Sequence, residues 1–368
     1  MRVLYLINHA GKAGTEKYVY NLVKRFNGKE TECFFAFNEA GQLSEQLDEL
    51  GIPCFQFEMR KPFDFRAAKK LAEICKANDI DIIHSQYPRE NYISVLSKRY
   101  YKKPKAIYTC HLTLKTGFPW FVTNKIMTPR DDKIIAVCNN AKELLVSNGV
   151  NPKKIDVIFN GIPYDESPNP PSTLREELGI PKDAFVISIL ARYHMSKGLD
   201  FLVEAISELD KMMKRKYVLL IAGEGEHFDE IKELIHEKGL EDKILQLGFR
   251  SDTENILCAS DAYVNSSKCY EALSFAILEA LSKRLPVVVT NAGGNPDIVN
   301  EKTNCGFITD YGDTHAFAEA LYKLSEDKEL SRTLGENGKK ATKDIFNLEK
   351  VLLETLDEYK SVLGGKND

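Results

Sequence analysis

No apolar run in this chain of 368 residues approaches the ~20 residues that a helix needs to cross a bilayer. The opening Met1-Arg2-Val3-Leu4-Tyr5-Leu6-Ile7 is too short for a secretory signal and reads as a first strand. A cytoplasmic protein is therefore expected, with the inner face of the membrane as a surface it could meet peripherally. Eight cysteines are scattered without a Cys-x-x-Cys pair, which argues against a disulfide framework and a zinc site. They are expected to be reduced and mostly buried. No His/Asp cluster with metal-ligand spacing stands out, so no divalent metal is expected. Low-complexity segments are also missing. The loop Asn8-His9-Ala10-Gly11-Lys12-Ala13-Gly14-Thr15 follows a strand and opens a helix, but it lacks the third glycine of a dinucleotide loop and the Gly-Lys-Ser/Thr of a phosphate loop. An oxidoreductase reading is poorly supported on that ground, and a plain helix start with Thr15 as cap is the simple alternative.

Charge is unevenly distributed. The net charge is −4, yet residues 1–165 carry 25 basic and 18 acidic side chains, against 25 basic and 36 acidic in the remainder. Within the basic half, Arg60-Lys61-Pro62-Phe63-Asp64-Phe65-Arg66 and Lys98-Arg99-Tyr100-Tyr101-Lys102-Lys103-Pro104-Lys105 interleave cations with aromatics. Such clusters suit an anionic membrane surface or an anionic acceptor, or are simply solvated loops. Nucleic acid is not an expected partner, because the overall acidity opposes it and no recognition motif accompanies the clusters.

Strands and helices alternate through both halves. Residues 2–8, 33–37, 81–85, 106–110, 133–137 and 156–159 read as short buried strands, with helical spacing between several of them, as at Val19, Leu22, Val23 and Phe26. Proline-rich residues 163–171 break the pattern as a linker would, and it resumes at Phe185. Two doubly wound α/β domains follow, residues 1–165 and 166–345, with residues 346–368 a terminal amphipathic helix.

Polar or glycine-bearing turns recur after strands in the second half. Arg192 and Lys197 lie five apart after the apolar run 185–190; one can fork onto phosphate oxygens and the other acts as a mobile point charge. Gly223-Glu224-Gly225, Leu247-Gly248-Phe249-Arg250 and Thr290-Asn291-Ala292-Gly293-Gly294 follow further strands, where glycine admits close backbone approach to a ligand. Glu271 and Glu279 read as two carboxylates on one helix opening at Glu271, ~12 Å apart along its axis. The first-turn amides of Leu273, Ser274 and Phe275 would then face an anion between them. Two glutamates so spaced also occur as a solvated helix face.

In order and spacing, the set Arg192/Lys197-Gly198, Gly223-Glu224-Gly225, Leu247-Gly248-Phe249-Arg250, Ser260-Asp261, Glu271/Glu279 and Thr290-x-x-Gly293-Gly294-x-Pro296-Asp297 resembles the retaining glycosyltransferases of family 4. The first half resembles them more loosely, through Gly14-Thr15-Glu16, His111 and Asn160-Gly161. The resemblance implies the GT-B fold, two Rossmann-like domains facing across a cleft. It also implies metal-independent transfer of a hexose or N-acetylhexosamine from a nucleotide diphosphate sugar, a UDP-sugar first, to an acceptor hydroxyl, in cell-surface polysaccharide or glycolipid synthesis. No cofactor is implied beyond the donor itself. Arg192, Lys197, Glu271 and His111 would be catalytic. Gly14, Gly223, Glu224, Arg250, Leu273, Ser274, Phe275 and Glu279 would bind the donor, Glu279 at its ribose and Glu271 at its hexose. Lys12 would lie near the diphosphate. A nucleotide-sugar epimerase, a sugar-phosphate phosphorylase and a non-catalytic sugar-nucleotide sensor are the alternatives.

Some positions depart from the family pattern. Leu112 follows His111, Ala272 follows Glu271, and Pro163 stands where an aspartate is usual, with Asp165 displaced and given no catalytic role. His111 itself reads either as a site residue at a strand end or as a core histidine. Residues 112–122 hold the only tryptophan, Trp120, in a stretch too irregular to read as a helix. It suits either a pocket for a lipid-linked, sugar or small-molecule acceptor or core beneath a loop.

Overall fold

The computed structural model describes residues 1–111, 115–269 and 271–364. The chain divides into two compact units, residues 1–160 with the chain from Glu349 on, and Gly161–Leu348.

The first unit is built on a parallel sheet of seven strands, β1 (Arg2–His9), β2 (Glu32–Glu39), β3 (Cys54–Gln56), β4 (Ile82–Ser85), β5 (Lys105–Cys110), β6 (Lys133–Ala136) and β7 (Ile155–Val157), in the order β3-β2-β1-β4-β5-β6-β7. Its inner strands read as continuous apolar runs because helices cover both faces; Val3 through Ile7 are all fully buried. The short strand Cys54–Gln56 escapes sequence reading because it sits at the edge and is only half-buried. The final helix, Leu348–Val362, sends Tyr359 into this unit, where its ring lies 6.3 Å from that of Phe26.

The second unit holds six parallel strands, β8 (Phe185–Leu190), β9 (Tyr217–Ala222), β10 (Ile244–Gly248), β11 (Ala262–Asn265), β12 (Val287–Thr290) and β13 (Gly306–Thr309), ordered β10-β9-β8-β11-β12-β13. Its core joins Ile187, Ile189, Leu219, Ile221, Val264 and Val288 to the helix Leu199–Met212 and the helix Thr314–Glu326. Strand β13 was not foreseen, since it is a half-exposed edge strand. The proline-rich stretch after Ile162 is pinned within this unit: the Lys339 ammonium donates to the Asp165 carbonyl and lies 5.0 Å from the Tyr164 ring.

In each unit the strand order reverses once, between β1 and β4 and between β8 and β11. Open parallel sheets bind ligands just beyond the carboxyl ends of strands at such a reversal.

Candidate active site

In the second unit, the loops after β8, β11 and β12 converge. The loop after β8 carries Arg192, then a short 3-10 turn Met195–Lys197, then Gly198 at φ +58°. A Cβ on Gly198 would lie 2.2 Å from the Ser266 carbonyl, so only glycine lets this loop pack on the one after β11. Ser266 Oγ closes the junction by donating to the Lys197 carbonyl at 2.8 Å.

Across that junction, Lys197 Nζ donates to Glu271 Oε2 at 2.6 Å, and Ser267 Oγ donates to the same oxygen at 2.5 Å. The Glu271 side chain is only 9% exposed. A carboxylate this buried needs an ion-pair or hydrogen-bond partner, and both are supplied. A polar web fixes the loop behind it. Thr290 Oγ1 donates to the Ser267 carbonyl at 2.6 Å, and Asn295 Nδ2 donates to Asn265 Oδ1 at 3.1 Å and to the Thr290 carbonyl at 3.0 Å. Ser267, Asn265 and Asn295 were not picked out from sequence, since isolated Ser and Asn carry no spacing signal.

The expected helix beginning at Glu271 is corrected. The helix is Phe275–Ser282 with Ser274 as N-cap, and Glu271 stands on the approach to it. The cause lies in the twin glycines: the Glu271 carbonyl accepts from the Gly294 amide at 3.1 Å. Gly293, at φ +53°, has the space of its missing Cβ filled by that carbonyl, 1.8 Å from the ideal Cβ position. Helix-start amides therefore belong to Phe275, Ala276 and Ile277, while Leu273 is buried and Ser274 nearly so. The ~12 Å helical ruler between the two glutamates does not apply. Glu279 is half-buried on the helix. Burial raises the Tyr263 hydroxyl above its ordinary value, and the carboxylates of Glu271 and Glu279 push the same way.

The glycines after β9 are packed against a neighbouring loop. Cβ atoms on Gly223 and Gly225 would lie 1.9 Å from the Ala191 carbonyl and 2.3 Å from the Tyr193 carbonyl. They admit the neighbouring loop that carries Arg192. Arg192 itself is exposed and in no ion pair among the described residues, whereas Glu224 is exposed and accepts weakly from the Phe249 amide at 3.4 Å. Arg250 is engaged by acids, at 2.7 Å from both Glu177 and Asp252.

In the first unit, the loops beyond β1, β4 and β5 bring together Thr15, Gln86, Tyr87 and His111. Gly14 opens the helix Gly14–Phe26. The N-cap there is Ala13, whose amide donates to Glu16 Oε2 at 3.1 Å, while Thr15 Oγ1 bonds the Tyr87 hydroxyl at 2.8 Å instead of capping. His111 is 8% exposed, its Nε2 2.9 Å from Gln86 Oε1 and its ring 4.8 Å from Tyr18. Because an amide oxygen only accepts, Nε2 carries the proton. Burial pulls its pKa down to about 3, leaving a neutral ring. Beneath it, His84 is fully buried, with Nδ1 2.6 Å from the Tyr359 hydroxyl and Nε2 2.6 Å from Thr109 Oγ1. This second histidine was not foreseen; its place inside a strand reads as plain core.

Residues 112–114, including Leu112, lie outside the described residues. Beyond them the chain forms the helix Phe118–Met127, contrary to the irregular segment expected. Gly117 and Pro119 supply its start. Trp120 is 40% exposed and so is not core beneath a loop. It borders a cavity of about 280 Å³ lined by Tyr92, Tyr108, Asn124 and Leu145. The basic cluster at residues 98–105 is largely neutralised: Lys98 pairs with Asp132 at 2.7 Å, and Lys103 with Asp79 at 2.8 Å and Asp81 at 2.9 Å. Asp79-Ile80-Asp81 is an Asp-x-Asp triplet that the metal-free expectation overlooked; both its carboxylates face Lys103. Among the described residues, no group of three His, Cys, Asp or Glu side chains is placed to hold a metal ion. Among the described residues no cysteine is in a disulfide, and five of the eight are buried.

Comparison with known proteins agrees over most of the chain. The family described as Glycosyl transferases group 1 matches residues 172–341, and that described as Glycosyltransferase Family 4 matches residues 13–166. An Escherichia coli relative, UDP-Gal:alpha-D-GlcNAc-diphosphoundecaprenol alpha-1,3-galactosyltransferase, is 26% identical over 348 residues, covering 89% of this chain and 88% of its own. A glycosyltransferase from Rickettsia africae superposes with a TM-score of 0.87 at 24% identity, over 99% of both chains. Anabaena Alr3699/HepE, solved in complex with UDP and glucose, superposes at 0.85 and 21% identity, over 98% of this chain and 100% of that one.

Proposed function

Because this chain belongs to the group 1 and family 4 glycosyltransferases, an enzyme family with paired Rossmann-like domains of the GT-B type, we propose that it moves a hexose or N-acetylhexosamine from a UDP-sugar to an acceptor hydroxyl with retention and without a metal. The observation that carries this reading is the half-buried Lys197–Glu271–Ser267 cluster at the reversal point of the second sheet. An ammonium has three N–H donors. Glu271 takes one, which leaves two aimed by a fixed side chain toward a diphosphate.

Departure of the nucleoside diphosphate is the demanding step, since negative charge collects on the leaving oxygen. Lys197 and the exposed guanidinium of Arg192 stabilise that charge, with the helix-start amides of Phe275, Ala276 and Ile277 behind them. Glu271 accepts hydrogen bonds from hydroxyls of the donor sugar, and Glu279, one turn into the helix, from the ribose. Gly223 and Glu224 shape the loop that carries Arg192, while Arg250, tied to two acids, holds the loop after β10. Leu273 and Ser274 set the entry of the helix and Phe275 opens it. In the first unit, neutral His111 is the candidate sugar ligand, and Gly14 opens the helix of the neighbouring loop. The released diphosphate oxygen takes the proton of the acceptor hydroxyl.

The E. coli relative's acceptor is a diphosphoundecaprenol-linked sugar, and the apolar cavity beside Trp120 supports a lipid-linked acceptor here too, in cell-surface polysaccharide or glycolipid synthesis at the inner face of the membrane. Thermal unfolding in EDTA with UDP, GDP and a panel of nucleotide sugars tests the donor. UDP at 100 times its dissociation constant should add ~2.7 kcal/mol. Stabilisation by no nucleotide, or only with magnesium or manganese, would refute the proposal.

A further inference from the structure

All strands of the second sheet run the same way, so the edge opposite the donor loops is formed by their amino ends, and there lies a cleft of about 700 Å³. Asp183 and Phe185 reach it at the start of β8, Arg215 before β9, Asp261 before β11 and Pro286 before β12, while Lys328 and Arg332 come from the beginning of the helix Lys328–Asp344. Its volume is that of a small-molecule site. Seven cations line it against two acids, Asp183 and Asp261, in the half of the chain that carries 25 basic and 36 acidic residues.

The cleft's own acids do not neutralise it. Arg175 pairs with Asp261 at 2.8 Å, but Lys283, Arg284 and Arg332 pair with Glu254, Glu336 and Glu329, carboxylates more than half exposed and outside the lining. Exposed pairs of this kind contribute little and can give way to a stronger anion. Among the described residues, Lys182, Arg215 and Lys328 of the lining are in no ion pair. Arg215 is nevertheless held in place: Nη2 donates to the Asp183 carbonyl at 2.6 Å and Nη1 to the Ser325 carbonyl at 3.0 Å. These carbonyls orient the guanidinium without cancelling its charge, and they leave three of its five N–H donors for a ligand. Arg284 adds a second observation. It follows the helix Phe275–Ser282 in the left-handed region, at φ +61°, where glycine is the usual residue. An arginine on this lip is kept against backbone strain, the kind of outlier that gathers at ligand sites.

We propose that this cleft binds a small anion carrying several phosphate groups. Guanidinium forks match phosphate oxygens in pairs, and uncompensated charges from three separate segments call for an anion of matching valence. A concave site of this size suits a small molecule better than the broad contact of an acidic protein. It lies at the far end of the strands from the donor site and does not rest on the donor chemistry.

Inorganic tripolyphosphate is the probe, titrated calorimetrically into the whole chain with UDP saturating the donor site. One tripolyphosphate per chain should bind, more weakly as salt rises. Lys182→Glu with Lys328→Glu, both at exposed side chains, should weaken that binding at least about tenfold while leaving stabilisation by UDP unchanged. Arg192→Met with Lys197→Met removes the donor cations instead and should leave tripolyphosphate binding in place without UDP. No binding beside UDP, undiminished binding in the Lys182/Lys328 variant, equal affinity for orthophosphate, or binding of polyglutamate or phosphatidylglycerol vesicles but not of tripolyphosphate, would overturn the proposal. Loss of UDP binding with tripolyphosphate binding intact would instead count against the donor site alone.

Discussion

Gly293→Ala should disable transfer while leaving the protein folded. At φ +53° an added Cβ incurs backbone strain on the order of 1 kcal/mol. Its larger effect is steric. The ideal Cβ would sit 1.8 Å from the Glu271 carbonyl, against the ~3.5 Å of ordinary non-bonded contact. Strand β12 holds the Gly293 side of this contact, so the approach segment carrying Glu271 must retreat by more than an ångström. That movement strains the hydrogen bonds of its carboxylate to Lys197 and Ser267, and a displacement of ~1 Å near reacting groups can lower the rate ~10²-fold. Gly239 provides the control, with φ +64° and nothing within 4 Å of its Cβ. Gly239→Ala carries similar backbone strain without the clash. UDP release from the preferred nucleotide sugar, measured alongside melting temperature, separates the two. Gly293→Ala should lose roughly 10²-fold in turnover and Gly239→Ala almost none. Equal turnover in both, at equal stability, would refute the role given to the Glu271 position.

Lys197→Met and Arg192→Met should each reduce turnover ~10²- to 10³-fold at saturating donor, read by UDP release at a temperature where each variant remains folded. Glu279→Gln should weaken bare UDP in calorimetry whereas Glu271→Gln should spare it and impair the sugar-dependent step; equal losses of UDP affinity would reverse that assignment. Burial holds the pKa of His84 and His111 down to about 3, below that of an unfolded histidine. Their contribution is therefore present above about pH 6.5 and lost as pH falls toward 3, by up to ~1.4 kcal/mol per pH unit for each ring. Asp131 acts in the opposite sense: burial raises its pKa to about 8, so its contribution is present below the unfolded carboxylate pKa near 4 and lost as pH rises toward 8. Asp131→Asn should consequently raise the melting temperature more at pH 8 than at pH 5, and an equal change at both would contradict the buried-acid account.

The alternating buried strands made both sheets legible, because inner parallel strands are apolar on both faces and punctuated by turns. Strands β3 and β13 escaped because short, half-buried edges do not carry that pattern. Lys197 and Glu271 could be picked from spacing and resemblance, but the Ser267 and Asn295 that fix them could not. Their partners are brought together only by strand pairing. Misplacing the helix start at Glu271 has the same origin: the amide of Gly294, far along the chain, claims its carbonyl, and local periodicity cannot register that. Phe118, Val122 and Ile126 are exposed and have helical spacing in the sequence, yet only the fold reveals which way they face.

The most direct test of the proposed donor chemistry is UDP release from a UDP-sugar panel in EDTA, comparing the wild-type chain with Lys197→Met. At least one UDP-sugar should be turned over without metal by the wild type, with a loss of ~10²-fold or more in the variant at a temperature where it remains folded. Release that requires a divalent metal, or that proceeds undiminished without Lys197, would contradict the mechanism.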